Sequence, residues 1–202
     1  MNKGKLFIVS GPSGSGKDTI LKEVLSQNPE IFFSISSISR PMRVGEVEGE
    51  KYHFITKDEF LKLIEDDMLL EHNEFCGNYY GSPKAPVMDA IAAGRDAILE
   101  VDVNGAAQVR KVMPEAVSVF IMPPSYEELR RRLSGRGTET EDVIEARMKT
   151  ALAEIARADE YDFIVVNDVL SEAVIDLVTV IKCNRLTTER QKNIINEVLK
   201  NA

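Results

Sequence analysis

Apolar residues along this chain fall into two rhythms. Leu6-Phe-Ile-Val9, Ala97-Ile-Leu-Glu-Val101, Val117-Ser-Val-Phe-Ile121 and Phe163-Ile-Val-Val166 are short runs bounded by charged or turn residues. Their length and branching predict buried strands of a parallel sheet. Between the runs, apolar residues recur three and four apart, which predicts helices over residues 19–27, 86–93, 105–112, 126–133 and 143–158. Asn28-Pro29 stops the first of these, and Ser125-x-x-Glu128 has the capping-box pattern at the start of another. A long amphipathic segment runs from 172 to about 200. Strands alternating with helices imply right-handed crossovers, so the expected fold is α/β, a mostly parallel sheet flanked by helices.

One stretch breaks this rhythm. Strand-like segments at 32–38, 52–55 and 69–75 come with turn residues and one short helix, capped by Thr56-x-x-Glu59. That is the pattern of a small mixed α/β sub-domain inserted into the core, and insertions of this kind carry recognition. The 202 residues then divide into a core of 1–32 and 83–202 and an insertion at about 33–82, within one domain.

Composition narrows the function. The chain is 44% apolar and 29% charged, ordinary for a globular protein, and no apolar run approaches the roughly 18 residues a membrane helix needs. A net charge of −8 disfavours nucleic acid and anionic membranes as partners. No cleavable leader is evident, so a cytoplasmic setting is expected. Cys76 and Cys183 fall in no metal-ligand spacing and are expected to be buried or half-buried free thiols.

Gly11-Pro-Ser-Gly-Ser-Gly16-Lys17 stands between a predicted strand and a predicted helix, which is the context that G-x-x-x-x-G-K requires to bind phosphates. Glycines allow backbone N–H groups to turn inward, the helix N-terminus adds partial positive charge, and Lys17 reaches the outer phosphates. Gly11, Pro12, Ser13, Gly14, Ser15, Gly16, Lys17, Asp18 and Thr19 are therefore the expected loop for the phosphates of a nucleoside triphosphate. Asp18 occupies the position where a Ser or Thr hydroxyl usually meets Mg²⁺. A carboxylate about 5 Å from a phosphate charge is repelled by roughly 3 kcal/mol at an effective dielectric of 20. Either a bound Mg²⁺ offsets that repulsion, or Asp18 simply favours the helix start.

In the insertion, Ser39-Arg40-Pro-Met-Arg43-x-Gly45-Glu46 precedes Tyr52. Two planar donor forks and a phenol suit a phosphate monoester. Together with Gly77-Asn78-Tyr79-Tyr80-Gly81-Ser82, Pro123-Pro-Ser125, Gly135-Arg-Gly-Thr-Glu-Thr-Glu141 and Val166-Asn-Asp168, these strings have the order and spacing of the guanylate kinase family, which the chain resembles along nearly its whole length.

That resemblance implies the P-loop kinase fold and Mg²⁺-dependent transfer of the γ-phosphoryl group of ATP to GMP or dGMP, with the nucleotides as partners and a monomer or homodimer as the assembly. It implies that Arg40, Arg43, Tyr52 and Tyr80 hold the acceptor's phosphate while Ser36, Glu71 and Ser82 read guanine. Guanine presents adjacent donors at N1 and its exocyclic amine, which a carboxylate accepts; adenine presents an acceptor at N1. Asp102, with Glu100 two residues before it, is implied to contact the acceptor or to order the metal's waters. Arg130-Arg-Arg132 and Gly135-Arg136-Gly read by themselves as a solvated face or a movable loop. The family places a lid here, at about 134–148, with Arg136 and Arg147 on the ATP phosphates, Arg132 as a further candidate and Asn167 against the lid arginines or the adenine edge. Lys17, Arg40, Arg136 and Arg147 are the implied catalytic residues. Two alternatives remain on the sequence: a ribose-bisphosphate kinase on the same scaffold, and a non-catalytic interaction module.

Overall fold

The computed structural model describes residues 3–135 and 140–200. In chain order the elements are β1 (Leu6–Ser10), α1 (Lys17–Gln27), β2 (Phe32–Phe33), β3 (Ser36–Ile38), β4 (Tyr52–Phe54), α2 (Lys57–Glu65), β5 (Leu69–Phe75), β6 (Asn78–Pro83) and α3 (Lys84–Ala92). There follow β7 (Ala97–Glu100), α4 (Val103–Val112), β8 (Val117–Met122), α5 (Tyr126–Ser134), α6 (Glu141–Ile155), β9 (Phe163–Val166), α7 (Leu170–Arg185) and α8 (Thr188–Lys200). The fold is α/β, with a central sheet of order β2-β7-β1-β8-β9 and a second sheet of order β4-β3-β6-β5. β2–β7 and β8–β9 pair in parallel. All five residues of β1 are buried, as an apolar run in a sheet covered on both faces requires.

The chain forms two compact units. One is built chiefly from Val9–Pro29 and the chain from Val117 onward, the other from Gly4–Ile8 and Glu30–Ala116. In the first, Leu129, Leu133, Ile144, Met148 and Ala151 make a core between α5 and α6. Ser118 and Asp162 tie β8 to the start of β9: the Ser118 N–H and hydroxyl both donate to Asp162 Oδ2, at 2.8 and 2.7 Å. In the second, β3 runs parallel to β4 and antiparallel to β6, and β5–β6 form a hairpin. The hairpin turns through Cys76 and Gly77, whose φ values of 50° and 73° are those of a two-residue turn matched to strand twist.

Five expectations are corrected. The run 163–166 is a strand but not a buried one: β9 is the outermost strand of the central sheet, and Phe163, Ile164 and Val166 are exposed while Val165 alone is buried. The run 32–38 is two strands, because Phe32–Phe33 pairs with β7 while Ser36–Ile38 pairs with β4 and β6. Residues 78–83 form a strand rather than a turn. The segment 172–200 is two helices broken at Leu186 and Thr187, a break that no Gly or Pro marks. Cys76 and Cys183 are free but exposed, one at a hairpin tip and one on the outer side of α7.

Candidate active site

After Ser10 the chain turns through the glycine-rich loop into α1. Gly14 and Gly16 have φ of 86° and 84°, the left-handed region that costs glycine nothing. The Ser15 N–H donates to Pro12 O at 3.1 Å, while the Thr19 and Ile20 N–H groups both donate to Gly16 O at 3.1 Å. Gly16 is the N-cap and brings no capping oxygen to α1. The helix start therefore presents its dipole and N–H groups to an anion.

The loop is fixed from beneath by α5 and the end of β9. Asn167 is only 6% exposed, and its Nδ2 donates to Ser15 O at 2.7 Å. Arg132 donates from Nη1 to Ser15 O at 3.3 Å, from Nη2 to Asn167 O at 2.9 Å and from Nε to Glu128 Oε1 at 2.7 Å. A Cβ on Gly14 would come within 3.0 Å of Leu133 Cδ2 and 3.1 Å of Leu129 Cδ1, so the loop packs directly on the α5 core. Arg132 and Asn167 thus touch the loop's backbone. Arg147, on α6, reaches the loop itself, with Nη2 donating to Ser13 Oγ at 2.8 Å. Arg136 lies outside the described residues.

The rest of the basic run is paired internally. Arg130 bridges to Glu141 and Glu145 on α6, and Arg131 holds Glu128 with two nitrogens. Arg131 and then Arg132 keep the Glu128 carboxyl down at about 2. Glu128 is consequently spent on arginines, and only half of the expected capping box forms, in which the Glu128 N–H donates to Ser125 Oγ at 3.1 Å. Thr56 and Glu59 make the full reciprocal box on α2.

Lys17 Nζ lies 3.7 Å from Asp18 Oδ1, and the Asp18 side chain is 64% exposed. Among the described residues, no group of three or more His, Cys, Asp or Glu is arranged to hold a metal ion. Side-chain oxygens at the start of α1 are those of Asp18 and Thr19, both exposed in its first turn. That set fits a hard cation carried mainly by phosphate oxygens, with one or two protein donors.

The second unit assembles the other predicted residues. Glu71 pairs with Ser82 across β5–β6, and Tyr80 stands opposite Ile38. The Ser82 hydroxyl donates to Glu71 Oε1 at 2.6 Å, and Ser36 Oγ lies 3.5 Å from Ser82 Oγ. Glu71 is 7% exposed, and burial pushes its carboxyl up to about 7 against the lowering effect of the Ser82 hydrogen bond. Asp102 adds to the rise as a nearby like charge.

Asp102 is the N-cap of α4, its Oδ1 accepting from the Asn104 and Gly105 N–H groups at 2.9 and 2.7 Å. Its Oδ2 accepts from Asn73 Nδ2 at 3.2 Å. Glu100 ends β7 half-buried and, after burial itself and Lys51, is among the charges that act on Tyr52. Burial pushes the Tyr52 phenol up. Arg40 sits over the Tyr52 and Phe54 rings at 5.7 and 5.6 Å. Its two terminal nitrogens hold Glu46 at 2.7 and 2.6 Å, which together with the Arg43 N–H keeps the Glu46 carboxyl down at about 2. Tyr80 also acts on Arg40 as a hydrogen-bond partner. Arg40, Tyr52 and Tyr80 are therefore together, whereas Arg43 is exposed on the turn and contributes its backbone N–H to Glu46 at 2.7 Å.

The family model described as guanylate kinase matches residues 3–184. A guanylate kinase of Carboxydothermus hydrogenoformans is 50% identical over 94% of this chain and 93% of its own length. The chain belongs to the guanylate kinase family. A second guanylate kinase, from Desulfitobacterium hafniense, is 44% identical over 98% of each chain. The crystal structure of guanylate kinase from Anaplasma phagocytophilum superposes with a TM-score of 0.77 at 32% identity, covering 94% of this chain and 90% of that one. In this guanylate kinase family member, the sequence did not disclose three residues that contact the predicted set in the second unit: Glu46 as the partner of Arg40, Gly105 against Glu71, and Gln108 on His72. Glu46 stood inside a quoted motif without a role. Nothing in local sequence marks the other two, whose contacts come from packing on β5.

Proposed function

We propose that this chain transfers the γ-phosphoryl group of ATP to GMP, giving ADP and GDP. The observation that supports this best is the Ser36–Ser82–Glu71 set, with Glu71 and Ser82 buried and Ser36 half-buried, a carboxylate and two hydroxyls converging where a sugar acceptor would have no use for them. Glu71 accepts from guanine N1–H and the exocyclic amine, and the Ser36 hydroxyl donates to O6, while Ser82 keeps its one O–H on Glu71 Oε1. Arg40, Tyr52 and Tyr80 hold the GMP phosphate, with Arg43 swinging in from the turn.

An oxygen of that phosphate attacks the γ-phosphorus in line, the bond to the β-phosphate oxygen breaks, and ADP leaves with the electron pair. No general base is needed, because the attacking oxygen is already ionised. Lys17 and the loop N–H groups hold the ATP phosphates, and Arg147 stabilises the charge that spreads over the transferring group. Asp18 and Thr19 would be the protein donors to a Mg²⁺ bound with ATP, which would supply neutralisation of the phosphate charge. The exposed free thiols of Cys76 and Cys183 fit a reducing, cytoplasmic setting.

The test is a coupled assay of ADP release with GMP, dGMP, AMP and ribose 1,5-bisphosphate each offered as acceptor. Turnover with GMP at least about 10³-fold above AMP in kcat/KM is expected, as a site built for donors rejects a base that presents an acceptor. Turnover with the sugar bisphosphate and none with GMP would overturn the reading. Asp18 has its own test. If its carboxylate helps to hold the ion, Asp18→Ala, which leaves no oxygen donor there, raises the Mg²⁺ concentration for half-maximal rate by about tenfold, because affinity for a hard cation follows the number and charge of its ligands. An unchanged Mg²⁺ curve would assign Asp18 to the helix start alone.

A further inference from the structure

β5 is an edge strand, since the second sheet has the order β4-β3-β6-β5 and β6 pairs with one side of it only. On its other side, three consecutive β5 residues meet three α4 residues spaced by three. Asn73 Nδ2 donates to Asp102 Oδ2 at 3.2 Å. The His72 N–H donates to Gln108 Oε1 at 3.2 Å, and Gln108 Nε2 donates back to His72 O at 2.9 Å. Glu71 lies against Gly105, where an added Cβ would come within 2.8 Å of Oε2 and 3.2 Å of Cδ. Asp102, Gly105 and Gln108 share one stripe of the helix because three residues make nearly one turn.

Gln108 therefore does for His72 what a neighbouring strand would do, satisfying both of its main-chain groups with one planar carboxamide. His72 is bonded directly to Glu71. The backbone of β5 cannot shift along α4 without breaking that pair, and the Glu71 carboxylate cannot move toward α4 beyond the space that Gly105 leaves.

We propose that Gln108 is a positioning residue for base specificity: by clamping His72 it holds the Glu71 carboxylate, against Gly105, at the place where it reads guanine. The inference rests on the reading that Glu71 is the guanine acceptor. It extends that reading to a residue on a different element, one that acts through the His72 main chain. A displacement of about an ångström at a recognition group is enough to cost one or two orders of magnitude.

A double-mutant cycle tests the proposal, with kinetics measured separately for GMP and ATP. Gln108→Ala is expected to raise KM for GMP about tenfold, with kcat and KM for ATP within about twofold of wild type, as for loss of ground-state binding alone. In a Glu71→Ala background, the same Gln108→Ala change is expected to have no further effect on kcat/KM for GMP. Gly105→Ala supplies a second variant that leaves the His72 clamp intact yet pushes on the same carboxylate, and it too is expected to raise KM for GMP selectively. Gln108 is half-buried, so thermal denaturation of each variant confirms that a folded enzyme is being compared.

A Gln108→Ala effect shared equally by GMP and ATP, or one that persists in full in the Glu71→Ala background, would overturn the assignment. If Glu71→Ala alone leaves KM for GMP unchanged, the guanine-reading role of Glu71 fails first, which separates that failure from a failure of the Gln108 clamp.

Discussion

Glu71→Gln is expected to make the free protein more stable above pH 7 while lowering kcat/KM for GMP by about 10³. Both effects come from the same burial. In the folded chain the Glu71 carboxyl is pushed up to about 7 from an ordinary value of 4.5, with burial the leading cause. The folded state thus holds this proton more tightly than the unfolded state. The stabilisation is fully present below pH 4.5 and disappears as pH rises through 7. Above that point the buried anion costs roughly 3 kcal/mol, from about 1.4 kcal/mol per unit. An amide does not titrate, so the variant's Tm should exceed wild type at pH 8, with the gap closing by pH 5. A gap that is constant across this range would refute the burial cost. The functional loss follows because guanine's paired donors meet one amide oxygen and one amide NH₂, leaving donor facing donor. GMP affinity of the wild type should also strengthen as pH rises through 7, since the ionised carboxylate is the form that accepts both hydrogen bonds.

The other large effect is expected at Gly16. Its φ of 84° is left-handed, which costs a side-chain-bearing residue about 1 kcal/mol or more. An added Cβ would also overlap Asn167 Nδ2. Asn167 has no room to yield: it is buried, and its amide is already committed to Ser15 O at 2.7 Å. Gly16→Ala must therefore displace the loop, the asparagine or both. Loss of at least about 10² in kcat/KM for ATP is expected, with a lowered Tm, because misplaced donors forfeit the transferring group's stabilisation. GMP binding measured by calorimetry without ATP should be preserved. Wild-type ATP kinetics in this variant would show that the Gly16–Asn167 approach does not set the loop's shape.

These residues also mark the limit of what the sequence discloses. The central strands and helices were legible to within a few residues because nearly all of them bury an apolar face, and burial imposes a period; the burial of β9 was not, since its run of apolar residues looks the same whether or not the strand lies at the sheet's edge. Residues 78–83 escaped because Gly77 and Asn78 carry turn chemistry and dominate a window that also contains a paired strand. The division of residues 32–38 escaped because no residue between Phe33 and Ser36 forbids a continuous strand; the partners on either side decide it. The glycine loop was legible because its backbone chemistry is local. The roles of Arg132 and Asn167 beneath it are not local: each acts on Ser15 from far along the chain, through contacts that no spacing rule encodes. Gln108 is the extreme case, an unremarkable polar residue in a helix until His72 is folded against it.

The Arg40–Glu46 pair has one more consequence. Before any nucleotide arrives, the guanidinium fork that would grip the acceptor's phosphate already holds a carboxylate with both terminal nitrogens. In the proposed reading, GMP binds by ligand exchange rather than by entering a vacant socket. The leaving carboxylate stays ionised at any working pH, because its pKa is near 2, so protonation cannot release the fork. Only a rival with greater charge and the same planar fit can displace it. A phosphate dianion qualifies, whereas free guanosine does not, however well its base is read. In that reading Glu46 would hold Arg40 in shape between turnovers and turn away acceptors that lack the group to be phosphorylated.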